Sequence, residues 1–340
     1  MKKIKVENAI GTILAHDLTK IVPGKFKGAR FKKGHIITKD DIEVLKDMGK
    51  NHIYSFVLNE NSLHENESAI TMGKAAIGKG VYTTKPSEGK VNIKAQKRGL
   101  LKINKKVLER VNNIDLLMLA TLHNNTIVEK DQTVAATRII PLVIEKEKIE
   151  RFKNICKYED SIVSVKPMYN LKTGIIVTGS EVYYGRIKDK FGDILKNKID
   201  TYQSEYVGIK YAPDDPKLIS KAMLELIDMG AEVILASGGM SVDADDVTPL
   251  AIRDISTEVI SYGSPVLPGS MFMVAYRNDV TILGIPGCGM YHKVTVFDVI
   301  YPRVLAKEKL SKQDITSLAY GGLCMKCEIC NYPICPLGKM

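Results

Sequence analysis

The chain has 340 residues, 45% hydrophobic and 26% charged, which is ordinary for a soluble globular protein and long enough for two or three domains. Its 49 Lys and Arg exceed 39 Asp and Glu for a net charge of +10, but the basic residues are dispersed and Trp is absent. Tyr and Phe are not interleaved with Arg, so a nucleic-acid groove is not expected. No apolar run reaches the length of a membrane span, and Met1 to Glu7 is basic without an apolar segment behind it. The expectation is a cytoplasmic protein without membrane contact.

Turn residues are frequent up to about residue 165, at Pro23-Gly24, Lys33-Gly34, Met48-Gly49, Gly78 to Gly80 and Glu88-Gly89. The apolar runs between them are short, which predicts small β-rich units. One helix is expected over Asp40–Met48 and another within Lys106–Leu119. The polar stretch Asn59–Ser68 reads as a linker, and a second boundary is expected between Glu159 and Lys172. The predicted domains are an α+β segment at 1–60, a β-rich domain at 69–165, an α/β domain at 172–310 and a cysteine-rich tail at 311–340.

From Thr173 to about Lys307 strand and helix patterns alternate. Gly174–Thr178 reads as a strand, followed by Ile187, Phe191, Ile194 and Leu195 at helical spacing. Tyr206–Tyr211 is the next strand. Asp215-Pro216 then opens a helix with Leu218, Ile219, Ala222, Met223, Leu226 and Ile227 on one face, stopped at Gly230. Glu232–Ala236 reads as a buried strand, and Thr248-Pro249 as a cap with proline at the first helical position. Met271–Ala275 and Val280–Leu283 form an expected hairpin, and a helix from about Met290 to Ala306 closes the unit. This alternation predicts an α/β fold, a parallel or mixed sheet with helices on both faces.

Three strand ends carry loop signals: Thr178-Gly179-Ser180-Glu181, the turn Ser237-Gly-Gly-Met-Ser-Val-Asp-Ala-Asp-Asp246, and Gly284-Ile-Pro-Gly-Cys-Gly289. Open α/β sheets bind ligands outside the carboxyl ends of their strands, so three such loops on one edge predict a binding site. The carboxylates Glu181, Asp243, Asp245 and Asp246 could hold Mg²⁺ against a substrate phosphate, or cap the following helix. Asp246 is the preferred functional acid. Cys324, Cys327, Cys330 and Cys335 fall within twelve residues, a spacing that suits an iron–sulfur cluster or a tetrahedral Zn²⁺. Cys156 reads as a small buried hydrophobe, Cys288 as a thiol that could touch a ligand, and no catalysis is assigned to the six histidines.

The loops resemble those of the molybdopterin-binding fold shared by molybdopterin molybdotransferases, gephyrin-like proteins and molybdopterin adenylyltransferases. Thr178-Gly-Ser-Glu-Val182 is similar to T-G-D-E-L, and Ser237 to Asp246 is similar to S-G-G-V-S-x-G-x-x-D. Pro268-Gly-Ser-Met271 and Gly284-Ile-Pro-Gly-Cys288 resemble P-G-K-P and G-L-P-G-N-P in order and spacing. The match covers about Gly174 to Lys307, and Gly11–Asp17 resembles the transferase's opening strand.

The resemblance implies that Thr178, Gly179, Ser180, Ser237, Gly238, Gly239, Ser241, Pro268, Gly269, Ser270, Pro286, Gly287 and Cys288 hold molybdopterin or its adenylylated form. In the transferase branch, Asp246 and Glu181 would carry Mg²⁺ while the adenylyl linkage is hydrolysed and molybdate inserted. The departures favour a second reading. Ser180 stands where the family has an acid, Ser270 where it has a lysine, and Cys288 where it has an asparagine. No counterpart of N-S-A-M-D-G-Y-A exists, and Pro23 to Arg30 fills that region with basic residues. A non-catalytic carrier is therefore the alternative, with the cysteine cluster sensing redox state or docking a molybdoenzyme or another biosynthetic protein. The family also implies a homo-oligomer.

Overall fold

The computed structural model describes residues 2–22, 26–56, 60–158 and 161–339. The turn expected at Pro23-Gly24, Asn59 of the expected linker and Glu159 of the expected boundary lie outside them. The chain forms two compact units. The first runs to Leu122 and takes in Val128–Lys166; the second comprises His123–Ile127 and the chain from Pro167 onward.

In the first unit, strands Lys2–Lys5, Ile13–Leu14 and His52–Phe56 form one small sheet beside helix Lys39–Asp47. Leu14, Leu18, Phe31, Ile42 and Leu45 fill a core there. A four-stranded antiparallel sheet orders Leu117–Thr121, Thr133–Ile139, Lys90–Ala95 and Val81–Thr83, with helices Glu65–Ala76 and Lys146–Tyr158 contributing to its core. The polar run expected to be a linker is instead strand Ser62–His64 and the first turn of helix Glu65–Ala76. Its polarity misleads because His64, Glu65 and Ser68 are buried, and His64 Nδ1 accepts the Asn66 N–H at 3.2 Å to cap the helix. Cys156 lies in this core as expected, and burial pushes its thiol up to about 11, where it stays protonated and inert.

The second unit is the expected α/β fold. Its strands are β1 (Lys172–Thr178), β2 (Glu205–Ala212), β3 (Val233–Ser237), β4 (Glu258–Tyr262), β5 (Met273–Arg277) and β6 (Val280–Ile285). They stand in the order β2-β1-β3-β6-β5-β4. The first four in that order run parallel, and β5 pairs antiparallel with both β6 and β4, so the sheet is mixed. Alternate side chains of each strand point to opposite faces. Ile175, Val177, Leu235 and Leu283 meet helices α1 (Phe191–Thr201) and α4 (Val296–Leu305) on one face. Ile176, Ile234 and Ile282 meet α2 (Pro216–Asp228) and α3 (Thr248–Ile255) on the other.

The Asp215 cap forms as expected, its carboxylate accepting the Lys217 N–H at 2.8 Å, and Ile219, Met223 and Leu226 are fully buried. Each such side chain stabilises by about 1.5–3 kcal/mol. Two expected helix starts shift. Thr248 is already helical, with Val247 as the cap residue, because the Thr248 side chain is turned inward rather than onto its own backbone. Gly287–Met290 makes a 3-10 turn, and the closing helix begins only at Val296, capped by Thr295 and Asp298. No helix among the described residues is long and apolar enough to cross a membrane.

The C-terminal segment is built onto this unit. Ile315, Leu318 and Leu337 join the α1/α4 core. Buried Arg303 donates to Glu308 Oε2 at 2.8 Å and to Asp314 Oδ1 at 2.5 Å. At Asp314, burial raises the pKa, but hydrogen bonds from Arg303 and Ser311 outweigh it and lower the value from 3.8 to about 2. A depressed pKa contributes stability above the unfolded value that is lost as pH falls. Unfolding midpoints should therefore drop more steeply for the wild type than for Asp314→Asn as pH goes from 3.8 to about 2. Equal slopes would show that the pair is not coupled to folding.

Candidate functional site

The parallel strands β1, β3 and β6 end on the same edge of the sheet, and antiparallel β5 begins there, Met273 lying opposite Gly284. All four motif loops therefore sit at one edge. They fall into two groups.

The first group joins the turns after β1 and β3. The Thr178 and Thr248 hydroxyls are 2.8 Å apart, and Thr178 Oγ1 donates to the Ser237 carbonyl at 3.2 Å. Ser237 Oγ donates to the Ile176 carbonyl at 3.4 Å. Thr178 and Ser237 are both buried, so their hydroxyls hold the frame under the site. Gly238, at φ +89°, lies so close that a Cβ there would run into the Thr178 carbonyl oxygen. Gly239 approaches Thr248 in the same way, and the Thr248 N–H donates to the Gly239 carbonyl at 3.2 Å.

Above this frame the loop is open. Ser241, Asp243 and Asp245 are exposed and Asp246 is half-buried. Asp246 Oδ2 accepts the Asp243 N–H at 3.0 Å, so one oxygen of the preferred acid stabilises its own turn. The Tyr262 hydroxyl donates to the Met240 and Ser241 carbonyls at 2.9 and 3.0 Å and pins the loop from β4. Burial raises the Tyr262 pKa, and the nearby Asp246 carboxylate raises it further, so this hydroxyl remains a donor.

Glu181 is exposed on a single helical turn, Ser180–Tyr183, with its carboxylate curled back toward Gly179. The Ser180 N–H donates to Asp214 Oδ2 at 2.8 Å, and the Asp214 N–H donates to Ser180 Oγ at 3.2 Å. The turn after β2 thus brings a carboxylate to the place where the resemblance lacks one. Sequence reasoning passed over Asp214. Its signal was Pro213-Asp-Asp-Pro216 directly after a strand, of which only the Asp215 cap was read.

The second group joins the loops before β5 and after β6. Pro268, Gly269, Ser270 and Cys288 line a cavity of about 700 Å³. Gly269, at φ +132°, lies so close to Val296 that a Cβ could not be accommodated. Pro286 is buried and Gly287 exposed beside it. The rest of the wall comes from His292, Lys293 and the C-terminal tail, including Cys324, Lys326, Cys327, Glu328, Cys330 and Cys335. Two lysines against one glutamate give this wall a positive balance suited to an anion. All six cysteines are free, and among the described residues no group of three or more His, Cys, Asp or Glu is gathered in metal-holding geometry.

Residues 174–306 match the family model described as a probable molybdopterin binding domain, and residues 3–56 match a domain of unknown function. A molybdopterin molybdenumtransferase of Synechococcus elongatus is 24% identical over 146 residues, 40% of this chain and 36% of that protein. A molybdopterin adenylyltransferase of Pyrococcus furiosus is 27% identical over 110 residues, 32% of this chain and 64% of that protein. A CinA-like protein of Mycolicibacterium gilvum is 36% identical over 77 residues, 23% of this chain and 18% of that protein. The chain thus spans about a third of the molybdenumtransferase and less than a fifth of the CinA-like protein. The resemblance carried by the loops is borne out for the segment that holds them.

Proposed function

We propose that the α/β unit binds molybdopterin or its adenylylated form and acts in the assembly or delivery of the molybdenum cofactor. The gathering of four glycine-bearing loops on one sheet edge, within a probable molybdopterin binding domain, carries this reading. Size and charge support it. A volume of about 700 Å³ suits a small molecule, and Lys293 and Lys326 offer a phosphate the cation that Ser270 lacks.

In the transferase form of the proposal, Asp246 and Glu181 would hold Mg²⁺, and Asp214 lies beside Ser180, where the resembled family has an acid. When bound, Mg²⁺ would neutralise charge on the adenylyl phosphate and polarise its linkage. The protein's own contribution is positioning: Tyr262 fixes the Asp246 loop, and Gly238 seats it on the Thr178 turn. The alternative, a carrier without turnover, is favoured by Ser180, Ser270 and Cys288, which replace polar groups of the resembled family. An iron–sulfur or zinc centre on the tail cysteines would suit their spacing and soft thiol chemistry, but would have to draw them together, since no three potential ligands among the described residues are gathered in metal-holding geometry.

Adding molybdate to the protein loaded with adenylylated molybdopterin separates the forms. Release of AMP, reduced by about 100-fold or more in Asp246→Asn, is the transferase result. Binding without release assigns the carrier, and unaltered release in Asp246→Asn removes that acid from the mechanism. Failure to bind the pterin would overturn the function itself.

A further inference from the structure

The first unit has a cleft of its own, of about 510 Å³, within the size range of small-molecule sites. One wall is the strand end and turn Arg30–His35. The other is the start of helix Glu65–Ala76 and the turn at Glu88-Gly89. Several of its charges answer one another: His35 Nε2 lies 2.8 Å from Asp41 Oδ2, and Lys32 Nζ lies 3.3 Å from Glu88 Oε1.

Glu65 is the exception. Its side chain is 9% exposed, yet its carboxylate accepts no hydrogen bond among the described residues. Its ion-pair partner there, Arg138 Nη2, lies 4.0 Å away, too far for a hydrogen bond. As the first residue of its helix Glu65 gains from the positive dipole end, which favours the charge without completing the shell of the carboxylate. Asn66, beside it in the same wall, has a side-chain oxygen that is also buried without a partner. Buried acceptors left this way are costly, and a bound donor removes the cost.

Two turns are shaped around the Glu65 carboxylate. Gly34, at φ +87°, and Gly89, at φ +70°, come so close that a Cβ on either would overlap a Glu65 oxygen. Side chains there would wall the carboxylate off, whereas glycine leaves it bordering the cleft. The rim has the opposite sign. Arg30 and Lys33 are exposed and form no ion pair among the described residues, and Arg30 rests 5.8 Å over the Phe31 ring. The cleft is therefore polarised, with acceptors at its inner end and cations at its mouth.

We propose that this cleft binds a small phosphate ester whose other end carries an N–H donor head. The head, a primary ammonium or the amidine edge of a guanine-type ring, donates to Glu65 and Asn66. The phosphate lies at the mouth, where Arg30 offers a planar fork and Lys33 a point charge. This site belongs to the first unit and does not depend on the pterin reading of the second.

The test is calorimetric titration of the full-length chain with guanosine monophosphate and, separately, with 2-aminoethyl phosphate. The probe that saturates identifies the head. It should bind about tenfold or more tightly than its counterpart lacking a donor, inosine monophosphate or ethyl phosphate respectively, and than inorganic phosphate. Hydrogen exchange in the unmutated protein should slow at residues 31–35 and 88–90 when that probe is bound. Glu65→Gln keeps the shape of the side chain and should weaken binding about tenfold or more, and Lys33→Met should weaken it and flatten its salt dependence. Saturation by neither probe would overturn the proposal. So would equal binding of inorganic phosphate, or protection confined to the α/β unit, either of which leaves the Glu65 cleft without a ligand of this class. Should Glu65→Gln fail to fold, the paired probes and the exchange pattern of the unmutated protein decide the matter.

Discussion

Replacing Gly238 with alanine is expected to destabilise the α/β unit by roughly 2–5 kcal/mol and to weaken pterin binding sharply. The backbone at Gly238 has φ +89°, a left-handed conformation that costs an L-residue about 1–2 kcal/mol. The added Cβ also runs into the Thr178 carbonyl oxygen, and relieving such overpacking costs about 1–3 kcal/mol more. The Thr178 turn cannot simply retreat, because its hydroxyl is tied to Thr248 and to the Ser237 carbonyl within a buried frame. The strain should pass to the open arm of the loop and move Ser241 and Asp246 away from the sheet edge. Denaturant midpoints measure the first effect and pterin titration the second. A loss below about 1 kcal/mol would show that the two turns are not held together as described.

Arg303→Met should cost about 3–5 kcal/mol, the scale for breaking a buried ion pair by removing one partner. Arg303 is 8% exposed and faces two carboxylates, Glu308, also 8% exposed, and Asp314. Methionine keeps the packing of the stem but removes the cation from both, so loss of charge rather than volume decides the outcome. The damage should extend to the C-terminal segment, since Asp314 caps the short helix Lys312–Thr316 and Ile315 and Leu318 lie in the same core. Hydrogen exchange would then rise first in residues 311–339. Uniform loss of protection across the sheet would indicate that the pair stabilises the whole unit rather than docking this segment.

Strand and helix periods made the α/β unit legible in the sequence, because buried strands such as β1 and β3 are short apolar runs closed directly by glycine. The positions of the four loops followed from that alternation, since parallel strands must end on one edge. Two kinds of information were not local enough to read. Whether a hydroxyl faces a ligand or its own frame depends on a neighbouring turn, as for Thr178 against Thr248, seventy residues away in sequence. The docking of Cys324 on Leu267 likewise rests on backbone pairing between segments whose side-chain pattern gives no register. Asp214 was missed for a related reason: its carboxylate acts on Ser180 across adjacent strands β1 and β2. Polarity was a poor guide at Ser62–Ser68, where buried polar groups support a strand and a helix.

The most direct test of the central claim is the pterin content of the protein purified anaerobically from cells that make the cofactor, oxidised and measured as fluorescent pterin products. The account predicts pterin bound to the wild type and lost from Gly238→Ala under conditions where that variant remains folded. A wild-type protein free of pterin, both as purified and after incubation with molybdopterin, would contradict it.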